Sequence, residues 1–290
     1  MYRKGKLISF DWAMKRILRS KANFVILEGF LSELLQEDIE INTILERESE
    51  REHWGDKSNR VDVLVENAKK ESIFVEIQCE SEYDYLQRLV SGNPKLLAEN
   101  MGKVMPSSKI RKIISISLVY FDLGQGDDYV YHGTTQFIGL NKKDVLILDS
   151  TQQELYKTEK ISDIYTEYYL LKINQFDDTA RNTIDQWLYF LKIDEIKDEF
   201  NAKGLKEAKK ELNIMNLSDE DFNKYEKYLD TLHYQASMYE SSYKVGEMKG
   251  EKKGEKRKAL EMAKVLKENG VDVNLIVKSS GLSKEEIEAL

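Results

Sequence analysis

Two short segments hold the residues best suited to chemistry. In RVDVLV (60–65) the residues Val61, Val63 and Val65 alternate with Asp62 and Leu64; in IFVEIQ (73–78) Ile73, Val75 and Ile77 alternate with Phe74, Glu76 and Gln78. A strand turns successive side chains to opposite faces, so Glu76 and Gln78 share one face and Asp62 points away from its valines. If the strands close as a hairpin around 67–71, residue 66 opposes 72, 65 opposes 73, and Asp62 falls opposite Glu76. Cross-strand neighbours stand about 4.5–5.5 Å apart at Cβ. Two carboxylates that close repel each other unless a cation sits between them. An all-oxygen set of this kind suits Mg²⁺ or Mn²⁺, with water completing the octahedron. The competing reading of the same residues is the exposed polar face of an edge hairpin.

The elements that must position these acids are legible in outline. Residues 21–36 place Phe24, Leu27, Leu31, Leu34 and Leu35 near helical spacing, giving an amphipathic helix. INTILERESE (41–50), RVDVLV (60–65) and SIFVEIQC (72–79) are strands by β-branched content and alternation. Residues 82–101 are helical, broken around Gly92-Asn93-Pro94, and KIISISLVYF (112–121) is a near-continuous apolar run that predicts a buried strand. YVYHGTTQFIGL (129–140) is a further strand candidate. This order predicts an α/β fold: a mixed sheet flanked by helices, followed by a helical C-terminal region. The expected divisions are a core over 1–150, a helical domain over 151–242, a Gly/Glu/Lys-repeat helix or linker over 243–258, and a small helical tail over 259–290. In the repeat, Gly246, Gly250 and Gly254 recur every fourth residue. They form either a small-residue stripe for close helix approach or a hinge.

Composition narrows the function classes. The 290 residues carry 44 Lys+Arg against 52 Asp+Glu, a net charge of -8, with 41% hydrophobic residues, enough for a real core. No apolar run is long enough to span a bilayer, and the charged start lacks the apolar stretch of an export leader, which points to the cytoplasm. A single cysteine, Cys79, excludes internal disulfides; with no adjacent His to activate it, it is read as a buried, inert thiol. The three histidines have no metal-ligand spacing, and no GxxxxGK[ST] or GxGxxG occurs, so no nucleotide cofactor is expected. The charge is unevenly spread. Residues 1–21 hold seven bases (Arg3, Lys4, Lys6, Lys15, Arg16, Arg19, Lys21) against Asp11 alone, and Lys103 to Arg111 and Lys112 contains no acid. Such clusters track phosphates or form a solvated face.

Asp62 and Glu76-x-Gln78 on adjacent strands after a leading helix resemble the core of the PD-(D/E)XK nucleases. More narrowly, the chain is similar to the recombination-promoting nucleases, the transposase-like branch of that superfamily. The likeness is carried by Phe10-Asp11-x-x-Met14-Lys15, Phe30-Leu31-Ser32-x-x-Leu35, Arg60-Val61-Asp62-Val63, Val75-Glu76-Ile77-Gln78, Tyr85-Leu86-Gln87-Arg88, the glycine repeat and the closing Ser-Gly-Leu-Ser-Lys-Glu-Glu-Ile. It implies that Asp62 and Glu76, helped by the Ile77 carbonyl, hold Mg²⁺ or Mn²⁺ for hydrolysis of DNA phosphodiester bonds with low sequence specificity. Asp11 matches the family's N-terminal acid, its rival role being a helix cap. The superfamily's usual lysine is Gln78 here, which orients water but supplies no charge. Lys15 or Arg88 is left to provide that charge, although Arg88 can instead pair with Asp84 four residues before it. Lys4, Lys6, Lys15, Arg19, Arg88, Arg111 and Lys112 are the expected DNA-contacting bases, with the 103–112 stretch beside the acids. The likeness and the glycine stripe point to a homodimer, with the tail's apolar positions (Leu260, Val265, Leu266, Leu275, Ile276, Leu282, Ile287) buried against a partner copy or folded back on the chain itself. The alternative function is a nucleic-acid-binding or partner-regulating protein that keeps the fold but not the reaction.

Overall fold

The structure is a computed structural model. It describes residues 7–16, 21–44, 63–79, 81–82, 84–90 and 112–290; within the helices, the side chains of Lys15, Arg16, Met215, Gln235, Ala236 and Tyr239 are not described. Asp62, Lys4, Lys6, Arg19, Arg111 and the rest of the 103–111 stretch lie outside the described residues. The chain separates into two compact units, Met1–Leu217 and Ser218–Leu290.

The first unit is built on a mixed sheet of six strands in the order β1-β2-β3-β4-β6-β5. These are β1 (Ile41–Ile44), β2 (Val63–Asn67), β3 (Ser72–Gln78), β4 (Ile113–Val119), β5 (Val130–Gly133) and β6 (Glu167–Lys172). β2 and β3 form an antiparallel hairpin, β3, β4 and β6 run parallel, and β5 returns antiparallel along β6. The hairpin turns through Lys70 at φ 67, and its register is the expected one: Glu66 faces Ser72, Val65 faces Ile73, Leu64 faces Phe74 and Val63 faces Val75.

Register assigns every central side chain to a face. Val63, Val65, Ile73, Val75, Ile77, Ile114, Ile116 and Leu118 share one face, and all are apolar and buried. The opposite face carries Glu66, Ser72, Glu76, Gln78, Ser115, Ser117 and Lys172 among its apolar residues, and these seven are also buried. β3 and β4 are buried at every position, as parallel strands covered on both sides are. A polar sheet face withdrawn from water is the informative feature here, because desolvated polar groups persist only with partners or a task.

The helices of this unit are α1 (Phe10–Arg16), α2 (Phe24–Leu35), α3 (85–90), α4 (Ser150–Tyr156), α5 (Thr183–Ile193) and α6 (Leu205–Glu211). Phe10, Phe30, Trp187 and Phe190 join α1, α2 and α5 through ring contacts at 5.5–6.0 Å. Phe30 packs there because α2 passes close to the start of α6. A methyl added to Gly29 would lie 2.3 Å from the Lys203 carbonyl oxygen, and Gly204 sits at φ 81 with 2.9 Å between its would-be methyl and the Val25 carbonyl. Neither position accepts a side chain without parting the two backbones.

In the second unit, α7 (Asp219–Glu268) is a single helix of 50 residues, about 75 Å long, capped by Ser218 Oγ accepting from the Asp221 N–H. It runs unbroken through the glycine repeat, so the hinge alternative is not the one adopted. A methyl at Gly246, Gly250 or Gly254 would meet nothing within 4 Å. α8 (Val273–Ser280) and α9 (Lys284–Glu288) fold onto the end of α7 around Ala263, Ile276, Leu282 and Ile287, and Ser283 and Glu286 form the expected capping box. Leu260 and Leu266 pack on this cluster, which leaves only Val265 and Leu275 of the tail's apolar positions exposed. The tail thus has its own small core. No described helix is long and apolar enough to cross a membrane.

Two elements differ from the sequence expectation. β6 lies inside the stretch read as helical from 151, and residues 151–217 belong with the first unit. Its run EYYLLK is six residues long and has no Gly or Pro marking its ends, so flanking helical segments mask it. β5 covers only Val130–Gly133 of the expected 129–140.

Candidate functional site

Glu76 and Gln78 project from the last turns of the pleat of β3 onto the polar face, 6% and 2% exposed. β4 runs alongside in register, putting Ser117 next to Glu76. A segment following β3 supplies the partners. Arg88 on α3 donates from Nη1 to Glu76 Oε1 at 2.7 Å and from Nε to Glu82 Oε2 at 2.8 Å, while Gln78 Nε2 donates to Glu82 Oε1 at 3.3 Å. One guanidinium fork therefore ties the strand acid to a second acid, and the Gln78 amide closes the circuit. Tyr85, one helical turn before Arg88, lies beneath it: the guanidinium carbon is 4.9 Å from the Tyr85 ring, and Tyr85 in turn meets Phe121 edge-on at 5.5 Å. Burial, reinforced by the Glu76 charge, pushes the Tyr85 phenol well above its usual range, so it stays protonated.

The structure thus brings Glu76, Gln78 and Arg88 together. The side-chain partners it gives Arg88 are Glu76 and Glu82 in place of Asp84, which accepts its backbone N–H at 3.0 Å. Ile77 turns its side chain to the apolar face and pairs with Leu118. Asp11 is 7% exposed on α1. Burial raises the pKa of the Tyr120 phenol well above normal, and the charge of Asp11 adds to that effect. Cys79 is exposed, because β3 ends one residue before it; it is not the buried thiol expected.

Lys112 is not placed beside Glu76. It precedes Ile113, whose face is that of Ser72 and Glu76, so alternation sends Lys112 to the other side of the sheet, about 16 Å down β3 from Glu76. There its ammonium pairs with Glu167 Oε2 at 2.7 Å in a cavity of about 590 Å³ lined also by Lys69, Lys157, Asp163 and Tyr169. Burial works to raise the pKa of Glu167, but hydrogen bonds from Lys112 and Tyr169 outweigh it and hold the carboxyl below its usual range. A lowered folded pKa stabilises the fold above the unfolded value and loses that contribution as pH falls through the folded one. Lys112→Met is therefore expected to lower stability at pH 7 by about 1–3 kcal/mol and to flatten its decline below pH ~4.5, as chemical denaturation at stepped pH will show.

Sequence reasoning missed Glu82, whose link to Arg88 and Gln78 spans a strand and a helix and has no local period. It also passed over Ser115 and Ser117, for which a signal existed: IISIS alternates, so the run was never apolar on both faces.

Among the described residues no three His, Cys, Asp or Glu side chains gather into a metal cage. A hard divalent ion does not need one, since Mg²⁺ is commonly held by one or two carboxylates with waters. Glu76, the Ile77 carbonyl and the Gln78 amide oxygen are hard oxygen donors at one strand end, and this donor chemistry fits such an ion.

A family model described as PD-(D/E)XK nuclease family transposase matches residues 8–242. The chain belongs to that family. No curated protein and no solved structure matches it. The six-stranded mixed sheet with flanking helices and a helical C-terminal region is consistent with the PD-(D/E)XK nuclease fold. Membership supports a nuclease-type hydrolase in general; nucleases of this superfamily generally use divalent metals such as Mg²⁺ or Mn²⁺, and a nuclease family implies DNA as substrate.

Proposed function

We propose that this protein is a metal-dependent endonuclease that hydrolyses DNA phosphodiester bonds with little sequence specificity, in the service of recombination, mobile elements or defence. The observation that carries the reading is the buried polar sheet face, on which Glu76 and Gln78 are locked to Arg88 and Glu82. In this reading Asp62 faces Glu76 across the β2–β3 hairpin, whose next four pairs have the register this requires. Asp62, Glu76 and the Ile77 carbonyl hold Mg²⁺ or Mn²⁺. When bound, the ion supplies Lewis-acid charge to the phosphoryl group and eases deprotonation of water. Gln78 orients the attacking water through its amide oxygen. Arg88 supplies positive charge that Gln78 lacks and holds Glu76 in one rotamer, with Glu82 fixing the guanidinium from behind. Asp11 contributes a further acid from α1, and Lys4, Lys6, Lys15, Arg19 and Arg111 guide the phosphate backbone; Lys112, on the other sheet face, is assigned to its Glu167 pair. The working form is a cytoplasmic homodimer, two sites being needed to sever both strands in one encounter.

One observation favours the competing reading, a nucleic-acid-binding or partner-regulating protein without the reaction: Gln78 is neutral where a base would serve catalysis. Incubation of supercoiled plasmid with the full chain separates the two. Nicked and linear products with Mg²⁺ or Mn²⁺, absent with chelator, are expected; a plasmid bound but left intact with either ion favours the competitor.

A further inference from the structure

Lys172 ends β6 on the polar face. It pairs in register with Val119 of β4, which pairs with Gln78 of β3, so Gln78, Val119 and Lys172 form one row across three parallel strands. At about 4.8 Å per strand, the backbones of Gln78 and Lys172 stand roughly 10 Å apart, within the joint reach of a long side chain and a bound phosphate. Lys172 is only 5% exposed. Among the described residues no carboxylate pairs with its ammonium and no acceptor takes its protons; the charge has for company the Tyr131 ring, centred 5.8 Å away.

The stem of Lys172 is packed away from water while its ammonium keeps a narrow contact with solvent at the strand end. A charge held there without a counter-charge is unfavourable, and the cation–π contact offsets only part of that. Val119 and Leu170 beside it are apolar, so a methionine would pack there at lower cost. A cation kept under those terms is kept for an anion. Arg88 cannot be that anion's partner in full, since Nη1 and Nε are already committed to Glu76 and Glu82. We infer that Lys172 is a phosphate-binding residue, gripping a non-bridging oxygen of the DNA backbone as it passes the strand ends where Gln78 and Lys172 lie. The inference rests on reading that face as the nucleic-acid site.

The test uses the full chain with Lys172→Met and Lys172→Arg, and a duplex oligonucleotide as probe. Lys172→Met is expected to melt at the wild-type temperature or above it, since it removes a charge that no described carboxylate balances. Its duplex binding is expected to weaken about ten- to a hundredfold, with the salt slope reduced by about one, and Lys172→Arg to recover most of the loss. Independently of cleavage, the duplex should slow acetylation of Lys172 by acetic anhydride, read by mass spectrometry. A structural role gives the opposite pattern: a lower melting temperature, unchanged affinity and slope, and no protection, and that overturns the inference. The two readings fail separately. Protection and a reduced slope in a protein that never cuts leave the phosphate site standing without the nuclease, whereas cutting by a Lys172→Met variant that binds as wild type removes the phosphate site alone.

Discussion

Glu76→Gln is expected to reduce metal-dependent cleavage at least about a hundredfold while leaving a folded protein. The amide keeps the shape of the carboxylate and still offers an oxygen to Arg88, so the 2.7 Å contact survives as a neutral–ionic hydrogen bond. What disappears is the charge a divalent ion needs. Seen from the sequence, where Asp62 and Glu76 face each other alone, removing one carboxylate relieves repulsion. The structure moderates that gain, because Arg88 already neutralises Glu76. The net effect on stability is then a loss of about 1–2 kcal/mol. Plasmid cleavage at saturating Mg²⁺ and a thermal melt measure both parts. A variant that cuts within a few-fold of wild type removes Glu76 from the site.

The second large effect is expected at Arg88. Its side chain is 18% exposed and stands between two acids, Glu76 at 8% and Glu82 at 17%. Arg88→Met removes the guanidinium that the two carboxylates share, a change that costs about 3 kcal/mol when one member of a buried ion network is removed. Tyr85 also loses the guanidinium above its ring. Arg88→Lys should recover only part of the loss, because a single ammonium on a flexible stem cannot reproduce the two directed bonds of the fork. Cleavage is expected to fall in both variants, since Glu76 and Gln78 lose the group that fixes their rotamers. Urea denaturation and cleavage rates will show whether the two losses travel together; an Arg88→Met protein as stable as the parent would mean that the fork does no more than decorate the surface.

These effects also show what the sequence could carry. The β2–β3 register was legible because alternation by two and the spacing of Glu66 and Ser72 leave one pairing that buries the valines. The same alternation put Glu76 and Gln78 on one face. The partners of Arg88 were not legible: Asp84 is its helical neighbour by spacing, while Glu76 is twelve residues away on a strand, joined only when α3 meets the sheet. Lys112 fails for a related reason. A basic run in sequence says nothing about which sheet face each base takes, and the pairing of its neighbour Ile113 with Ser72 sends this one away from the acids. Lys172 was hidden with β6, whose six residues lie between helices and turn polar and apolar sides in a pattern too short to stand out. The tail is the converse case. Its apolar positions suggested a partner surface, yet Ile276, Leu282 and Ile287 satisfy one another against α7. Family membership, by contrast, was readable early, from Glu76-x-Gln78 and the segments around it, and the family model spans residues 8–242.

In the proposed site, Asp62 and Glu76 together hold a divalent ion. Calorimetric titration of Mn²⁺ into the wild-type chain and into Glu76→Gln, without DNA, tests it most directly. Saturable binding to the wild type and at least a tenfold weaker affinity in the variant are expected. Equal Mn²⁺ binding by both proteins, or none by the wild type, would contradict it.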